Sequence, residues 1–196
     1  MPEIDITTSV SCKIWCKYCP QAAFVKSYYK NNKDAPRMMS MGVFKTCIDK
    51  IPLDWVVNFS GFCEPFQNDQ CIKMISYASQ QGRFVNIYTT LRGFTEKDLA
   101  IISCLENYNL LIHLPSKLQE MKFTPSPEYL KIFKAIYNDD KIKKRFVIHE
   151  DDEFIPEIAQ VLDHGYKYVL HPLHDRGGSL DNLPSHDYRP GKIVCP

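Results

Sequence analysis

The sequence lacks the features that identify several large classes of protein. No apolar run approaches the roughly 20 residues that a membrane span needs, and the opening residues, MPEIDITT, contain no basic segment leading into an apolar one. The formal net charge is only +1 over 196 residues, so no charge excess favours a nucleic acid or an anionic membrane as a partner. We therefore expect a soluble cytoplasmic protein without a signal peptide, for which nucleic acid is not the partner.

Glycine motifs that bind phosphate are also absent. Neither G-x-G-x-x-G nor G-x-x-x-x-G-K-[ST] occurs in the chain, which has 8 glycines in total. A doubly wound nucleotide-binding sheet would normally carry one of these motifs after its first strand. The absence disfavours a nucleotide-binding sheet of that type.

Cysteine, by contrast, occurs eight times. In a reducing compartment these residues are expected as thiols or metal ligands rather than disulfides. Cys47 and Cys71 fall among the apolar positions of predicted helices, and Cys104 lies beside Leu105 at the end of another. All three are therefore predicted to be small buried hydrophobic residues. The other five are Cys63, Cys195 and a close group near the N-terminus.

Short apolar strands alternate with amphipathic helices along most of the chain. The predicted strands are Ile4–Thr8, Trp55–Phe59, Phe84–Thr89, Leu110–Leu114, Arg145–His149 and Tyr166–His171. Helix starts are predicted at three capping residues, Ser40, Thr95 and Ser126, and the basic stretch Lys26–Arg37 is predicted to be a mobile loop. The alternation predicts an α/β fold with parallel strands, either a doubly wound open sheet or a partial barrel.

Three cysteines, Cys12, Cys16 and Cys19, share the loop that follows the first strand. Loops at the carboxyl ends of parallel strands form the active face of such folds, so the spacing C-x3-C-x2-C indicates a metal site placed for chemistry. A structural zinc site prefers four closed ligands, and iron–sulfur clusters are likewise usually held by four thiolates. Three ligands leave a coordination position open to a substrate or cofactor.

This loop, with Tyr18 directly before the last cysteine, resembles the signature of the radical S-adenosylmethionine superfamily. The resemblance implies a partial (β/α)6 TIM-type barrel and a [4Fe–4S] cluster on Cys12, Cys16 and Cys19, whose open iron binds S-adenosylmethionine. It further implies reductive cleavage to a 5′-deoxyadenosyl radical, with an electron from a flavodoxin or ferredoxin. A non-catalytic zinc or iron–sulfur module is the alternative hypothesis.

The resemblance extends to the ends of later strands. The stretch FSGFCEPFQN resembles the Gly-Glu-Pro segment that approaches the amino group of the cofactor, except that Cys63 stands where a second glycine is usual. Polar residues ending the third and fourth strands resemble cofactor and ribose contacts. The residues that the resemblance places near the cofactor are Tyr18, Gly61, Cys63, Glu64, Pro65, Thr89, His113 and Ser116.

The end of the chain resembles members that continue into a cysteine-rich extension. DRGGSL is a weaker version of the Arg-Ala-Gly-Asn run of those members, with Arg176 and Gly178 matching. We expect a core domain over residues 1–180 and a tail over 181–196 that begins a missing auxiliary-cluster domain, with Cys195 as its first cysteine. The sequence assigns no catalytic side chain, and the substrate could be a peptide, a small molecule or a partner protein.

Overall fold

The chain folds as an α/β protein built on six parallel strands. The computed structural model describes residues 1–118, 121–149, 152–162 and 167–172. The strands are β1 (Glu3–Ile6), β2 (Val56–Phe59), β3 (Val85–Thr89), β4 (Tyr108–His113), β5 (Lys144–His149) and β6 (Val169–His171). The helices are α1 (Gln21–Asn31), α2 (Met41–Ile48), α3 (Cys71–Gln80), α4 (Glu96–Ile102), α5 (Pro127–Asn138) and α6 (Pro156–Ala159), and a 3-10 turn spans Pro65–Gln67.

The strands form one sheet in the order β1-β2-β3-β4-β5-β6, with every neighbouring pair parallel. In a doubly wound sheet the strand order reverses at a switch point, whereas sequential order is typical of a (β/α) barrel. The first and last strands each have one neighbour, so the sheet is open. The predicted partial (β/α)6 barrel with parallel strands is therefore confirmed.

The predicted helix starts are confirmed by their capping side chains. Ser40 Oγ accepts a hydrogen bond from Val43 N, and Ser126 Oγ accepts one from Tyr129 N, each at 3.2 Å. Thr95 forms a reciprocal capping box with the third residue of its helix. Because each cap satisfies an otherwise unpaired backbone N–H, these starts can be read from sequence. No described helix is both long and apolar enough to cross a membrane.

The prediction for the helical cysteines is correct for Cys71 and wrong for Cys47 and Cys104. Cys71 is fully buried in α3, but Cys47 and Cys104 are exposed. In α2 the core-facing stripe consists of Phe44 and Ile48, both 0% exposed, and Cys47 lies beside this stripe rather than in it. Cys104 follows α4 and donates a hydrogen bond from its thiol to a backbone carbonyl one turn earlier.

The prediction of a mobile loop over Lys26–Arg37 is wrong for its first half, because α1 extends to Asn31. The helix is stabilised by the ring of Phe24, which stacks on Phe62 at a centroid distance of 4.8 Å. Several predicted features lie outside the described residues, namely the start of the sixth strand at Tyr166, the Arg176 segment, the tail and Cys195.

Candidate functional site

The candidate site lies at the carboxyl edge of the sheet. Residues 7–20, here named the cysteine loop, connect the end of β1 to the start of α1 and carry Cys12, Cys16 and Cys19. The loops that follow the other strands leave the same edge, because all the strands are parallel. Residues far apart in sequence therefore meet around these thiols.

Two buried or half-buried amide side chains hold the backbone of the cysteine loop. Gln21, 1% exposed, accepts a hydrogen bond from Cys12 N at 2.7 Å and donates one to Cys12 O at 3.2 Å. Gln67 accepts from Lys13 N at 2.8 Å and donates to Ser11 O at 3.0 Å. Sequence analysis identified neither glutamine, because contacts between an amide and a backbone 9 or 54 residues away follow no sequence pattern.

Backbone strain is concentrated in this loop. Ser11 has φ of 113° and Trp15 has φ of 52°, values that bulky residues with a Cβ rarely adopt. Each strained residue directly precedes a cysteine, Cys12 in the first case and Cys16 in the second. Strain of this kind costs on the order of 1–3 kcal/mol per residue and persists where the surroundings enforce it. The loop is thus held in a set conformation that orients its thiols.

Two of the three loop cysteines belong to a small apolar cluster. Cys12 is 9% exposed and forms a buried cluster with Ile14 and Met121. Partly buried against this cluster are Cys16, Cys63 and Phe123. The cluster therefore gathers two cysteines of the loop and the extra cysteine that follows β2.

The pKa values of Cys12 and Cys16 are raised because their thiols are buried and close to other thiols. Burial raises the pKa of Cys12, and it raises the pKa of Cys16 to about 12. The neighbouring Cys12 and Cys19 thiols raise the pKa of Cys16 further, whereas a hydrogen bond from Tyr18 lowers it. Thiols in such surroundings stay protonated unless a cation stabilises their thiolates. Their chemistry therefore suits a positively charged metal group.

The donor set fits a cluster with three thiolate ligands. Among the described residues, no group of three or more His, Cys, Asp or Glu side chains is positioned to hold a metal ion. In a cubane iron–sulfur cluster each thiolate binds a different iron, so the sulfurs do not need to meet at one point. Three cysteines on one constrained loop have the donor type and number for such ligation, which would leave one iron without a protein ligand.

The loop after β2 packs directly on the start of the cysteine loop. Gly61 has φ of +92°, and a Cβ at this position would lie 2.1 Å from Thr7 Oγ1. Glycine is therefore required here by the conformation and by Thr7, independently of any approach by a cofactor. Two residues later, Cys63 Sγ lies 3.7 Å from Thr8 Oγ1, and burial raises the pKa of its thiol.

Glu64 connects the loop after β2 to the end of β3. Glu64 is 3% exposed, and its carboxylate accepts hydrogen bonds from Thr89 Oγ1 at 2.6 Å and from Thr90 N and Oγ1, each at 2.7 Å. Burial raises the pKa of Glu64, and these hydrogen bonds lower it. The side chains of Glu64 and Thr89, both predicted to lie near the cofactor, are thus hydrogen-bonded to each other within the protein. Pro65, also buried, begins the 3-10 turn, and its carbonyl accepts a hydrogen bond from Thr8 Oγ1 at 3.1 Å.

Three aromatic side chains meet where the cysteine loop faces β4 and β5. The Tyr18 hydroxyl lies 3.4 Å from Nδ1 of His113, the last residue of β4. The ring of His149, the last residue of β5, packs edge-on against Tyr18 at 4.5 Å and lies 4.6 Å from His113. The sequence predicted roles for Tyr18 and His113 but not for His149, although its place at a strand end was a usable signal.

Ser116 has its backbone partner in a different segment of the chain. It follows β4, is 6% exposed and forms an isolated antiparallel backbone bridge with Phe154. The structure therefore brings Cys63 and His113 into contact with the cysteine loop, which contains Tyr18, and pairs Ser116 with Phe154.

No family model and no curated protein matches the sequence. The structure is similar to BtrN in complex with AdoMet and 2-DOIA, with a TM-score of 0.53 and 16% identity over 83% of this chain and 62% of that chain. It is also similar to SuiB from Streptococcus suis bound to S-adenosylmethionine, with a TM-score of 0.55 and 15% identity over 83% of this chain and 37% of that chain. A further match is SuiB bound to precursor peptide SuiA, with a TM-score of 0.55 and 15% identity over 83% of this chain and 36% of that chain.

These matches concern the fold. At 15–16% identity, the similarity shows that the chain shares its α/β architecture with BtrN and SuiB. The chain spans less than two thirds of the length of either protein. Both proteins are known in complexes with S-adenosylmethionine, which is AdoMet in the BtrN complex.

Proposed function

We propose that the chain is the core of a radical S-adenosylmethionine enzyme. The observation that carries the proposal is the cysteine loop, in which Cys12, Cys16 and Cys19 share one strained and clamped segment at the carboxyl edge of a partial barrel. The shared fold with two proteins known in S-adenosylmethionine complexes supports the same assignment.

The three cysteines would hold a [4Fe–4S] cluster, with one iron left open to S-adenosylmethionine. When bound and reduced, such a cluster supplies the electron that cleaves S-adenosylmethionine to methionine and a 5′-deoxyadenosyl radical. The protein contributes binding, orientation and exclusion of water. Gln21 and Gln67 fix the backbone on which the thiols are mounted, and the apolar cluster around Cys12 shields them.

Groups around the thiols would hold the cofactor. Gly61 and Glu64 shape the loop after β2, which lies beside Cys12 through Cys63. Tyr18 of the cysteine loop and His113 at the end of β4 contact each other through a phenol ring and an imidazole. A polar and aromatic surface at the end of β4 suits the ribose and adenine of a nucleoside.

The fold selects no particular substrate. The similar structures contain 2-DOIA in one case and a precursor peptide in another. The proposal therefore covers the cleavage of S-adenosylmethionine, and the hydrogen donor is left to experiment.

Anaerobic reconstitution with iron and sulfide tests the proposal. The protein should turn brown and contain about four irons per chain, and S-adenosylmethionine should change the electron paramagnetic resonance spectrum of its reduced form. Cys16→Ala should lose the iron, whereas Cys47→Ala, an exposed cysteine on α2, should retain it. A colourless protein with one tightly bound zinc per chain would contradict the proposal and support the zinc form of the alternative, a non-catalytic zinc or iron–sulfur module. A brown protein whose spectrum does not respond to S-adenosylmethionine would support the iron–sulfur form.

A further inference from the structure

An open cleft lies between the loop after β3 and the start of α5. Its volume is about 420 Å³, a size that suits a small organic ligand. Because the chain segments on both sides of the cleft follow the carboxyl ends of strands, the cleft lies at the same edge of the sheet as the cysteine loop. Five buried or half-buried residues give the cleft an apolar lining: Leu91, Phe94, Phe123, Tyr129 and Ile132.

Three charged side chains also line this cleft, namely Arg92, Lys122 and Glu128. Two are basic and one is acidic, so together they carry one net positive charge. None of the three forms an ion pair with a described residue. A carboxylate carries one negative charge, whereas a phosphate monoester carries about −1.5 to −2 at neutral pH. The charge of the cleft therefore matches a carboxylate better than a phosphate.

Arg92 lies between this cleft and a second one. Its Nη1 donates a 2.9 Å hydrogen bond to Lys13 O, and its guanidinium carbon lies 5.9 Å from the ring centre of Phe123. The other N–H groups of the guanidinium form no hydrogen bond with a described residue and are free to bind a ligand. The second cleft, of about 290 Å³, shares Arg92 with the first and is lined by Lys13 and Ile14 of the cysteine loop. A ligand held at Arg92 can thus extend to the cysteine loop.

The backbone on both sides of the first cleft is constrained. On one side, Leu91 has φ of 63° and Gly93 has φ of 90°, so left-handed residues flank Arg92. A left-handed conformation at leucine is costly and persists where the surroundings enforce it. On the other side, Lys122 N donates a 3.0 Å hydrogen bond to Ile14 O of the cysteine loop. Arg92 is therefore presented by a set backbone, which lowers the entropy cost of binding a ligand.

We infer that the cleft at Arg92 binds the carboxylate of the substrate, a small carboxylic acid with an apolar body. A guanidinium pairs with a carboxylate through two parallel hydrogen bonds, and Lys122 adds a second positive charge. The apolar lining covers the body of the acid, and the second cleft leads it to the cysteine loop. The inference rests on the proposed function, because the substrate must reach the place where the 5′-deoxyadenosyl radical forms.

Equilibrium dialysis of the reconstituted protein tests the inference with three probes. The acid is 3-phenylpropanoate, 3-phenylpropanamide has nearly the same shape without the charge, and phenyl phosphate carries the alternative anion. Arg92→Gln removes the guanidinium, and Lys122→Gln alters an exposed position of the same cleft. Arg145→Gln is the matched control, because Arg145 is exposed near the amino end of β5, at the opposite edge of the sheet. Thermal melting shows whether each variant is folded.

We expect the unaltered protein to bind the acid about tenfold or more tightly than the amide. Arg92→Gln should lose this preference, Lys122→Gln should weaken it, and Arg145→Gln should keep the dissociation constant within about twofold. At saturation the acid should also change the rate at which the unaltered protein forms 5′-deoxyadenosine with dithionite, and it should not change the rate of Arg92→Gln.

Equal binding of acid and amide, or equal losses in Arg92→Gln and Arg145→Gln, would overturn the inference. Tighter binding of phenyl phosphate would overturn it in favour of a phosphate site. Displacement of the acid by S-adenosylmethionine would assign the cleft to the cofactor, and an unchanged rate at saturation would exclude a substrate site. Absence of 5′-deoxyadenosine from every sample would contradict the proposed function, and the dialysis would still decide whether the cleft binds a carboxylate.

Discussion

The Thr89 hydroxyl donates a 2.6 Å hydrogen bond to the buried carboxylate of Glu64, linking the end of β3 to the loop after β2. The same carboxylate binds Thr90 through both its backbone N–H and its hydroxyl. A buried carboxylate needs such donors, because burial disfavours its charge. The link also fixes the loop that contains Cys63, next to the thiol cluster.

Thr89→Val should lower the free energy of unfolding by about 1–3 kcal/mol. It removes a donor from the buried Glu64 carboxylate and the acceptor of the Leu91 N–H, while keeping the shape of the side chain. Urea unfolding measures the change. Tyr88→Phe is the matched control, because Tyr88 precedes Thr89 on β3 but is 42% exposed. An effect of Tyr88→Phe as large as that of Thr89→Val would show that the loss does not come from the Glu64 link.

Gly61→Ala should destabilise the protein for two separable reasons, a left-handed backbone and a contact with Thr7. Each contributes on the order of 1 kcal/mol or more to the loss in free energy of unfolding. Thr7→Ala removes Oγ1, the atom that the new Cβ would meet at 2.1 Å. The double variant should therefore be more stable than the sum of the two single losses implies. Strictly additive losses would mean that Thr7 does not impose the glycine.

Gln21→Leu should weaken the hold on the cysteine loop, because Cys12 N–H and C=O both lose their side-chain partner in a buried position. We expect a loss of about 2–3 kcal/mol in the free energy of unfolding and slower, less complete uptake of iron during reconstitution. Gln80→Leu, near the end of α3 and exposed, is the control. Full and equally rapid iron uptake by Gln21→Leu would show that the clamp does not prepare the site.

Much of the fold could be predicted from the sequence because local signals agreed with it. The six strands were recognisable as short apolar runs, and Ser40, Thr95 and Ser126 begin their helices through side-chain hydrogen bonds to nearby backbone N–H groups. Such contacts span three residues and leave a readable pattern. The alternation of strands and helices predicted parallel strands but left a doubly wound sheet and a partial barrel open, and only the family resemblance implied the barrel whose sequential strand order is observed.

Helix α1 escaped prediction because its stability comes from distant contacts. Its sequence, QAAFVKSYYKN, has no capping side chain and no acidic residue in the first turn, and its one favourable end charge is Lys30 in the last turn. The stabilising partners are Phe62 for Phe24, and Cys12 for Gln21. A tertiary contact between rings 38 positions apart cannot be read from periodicity. The predicted burial of Cys47 was wrong because helical periodicity does not define how wide the buried face of a helix is, and Cys47 lies just outside the buried face of α2.

The sequence predicted the cysteines of the candidate site but not the residues that position them. The three cysteines and the residues around Gly61 were visible as spacing and motif. The roles of Gln67 and His149 depend on how separate strands are placed. His149 approaches His113 because β4 and β5 pair with His113 opposite Val147, two residues before His149 and on the same side of the strand.

The most direct test of the central claim is quantification of 5′-deoxyadenosine formed from S-adenosylmethionine by the anaerobically reconstituted protein with dithionite. The unaltered protein and Cys47→Ala should form it at equal rates, and Cys12→Ala, Cys16→Ala and Cys19→Ala should each form none, because each removes one of the three cluster ligands. Cys47 is the matched control, since it is an exposed thiol on α2 and is not one of the three loop cysteines. No 5′-deoxyadenosine from the unaltered protein, or equal formation by Cys16→Ala and Cys47→Ala, would contradict the account.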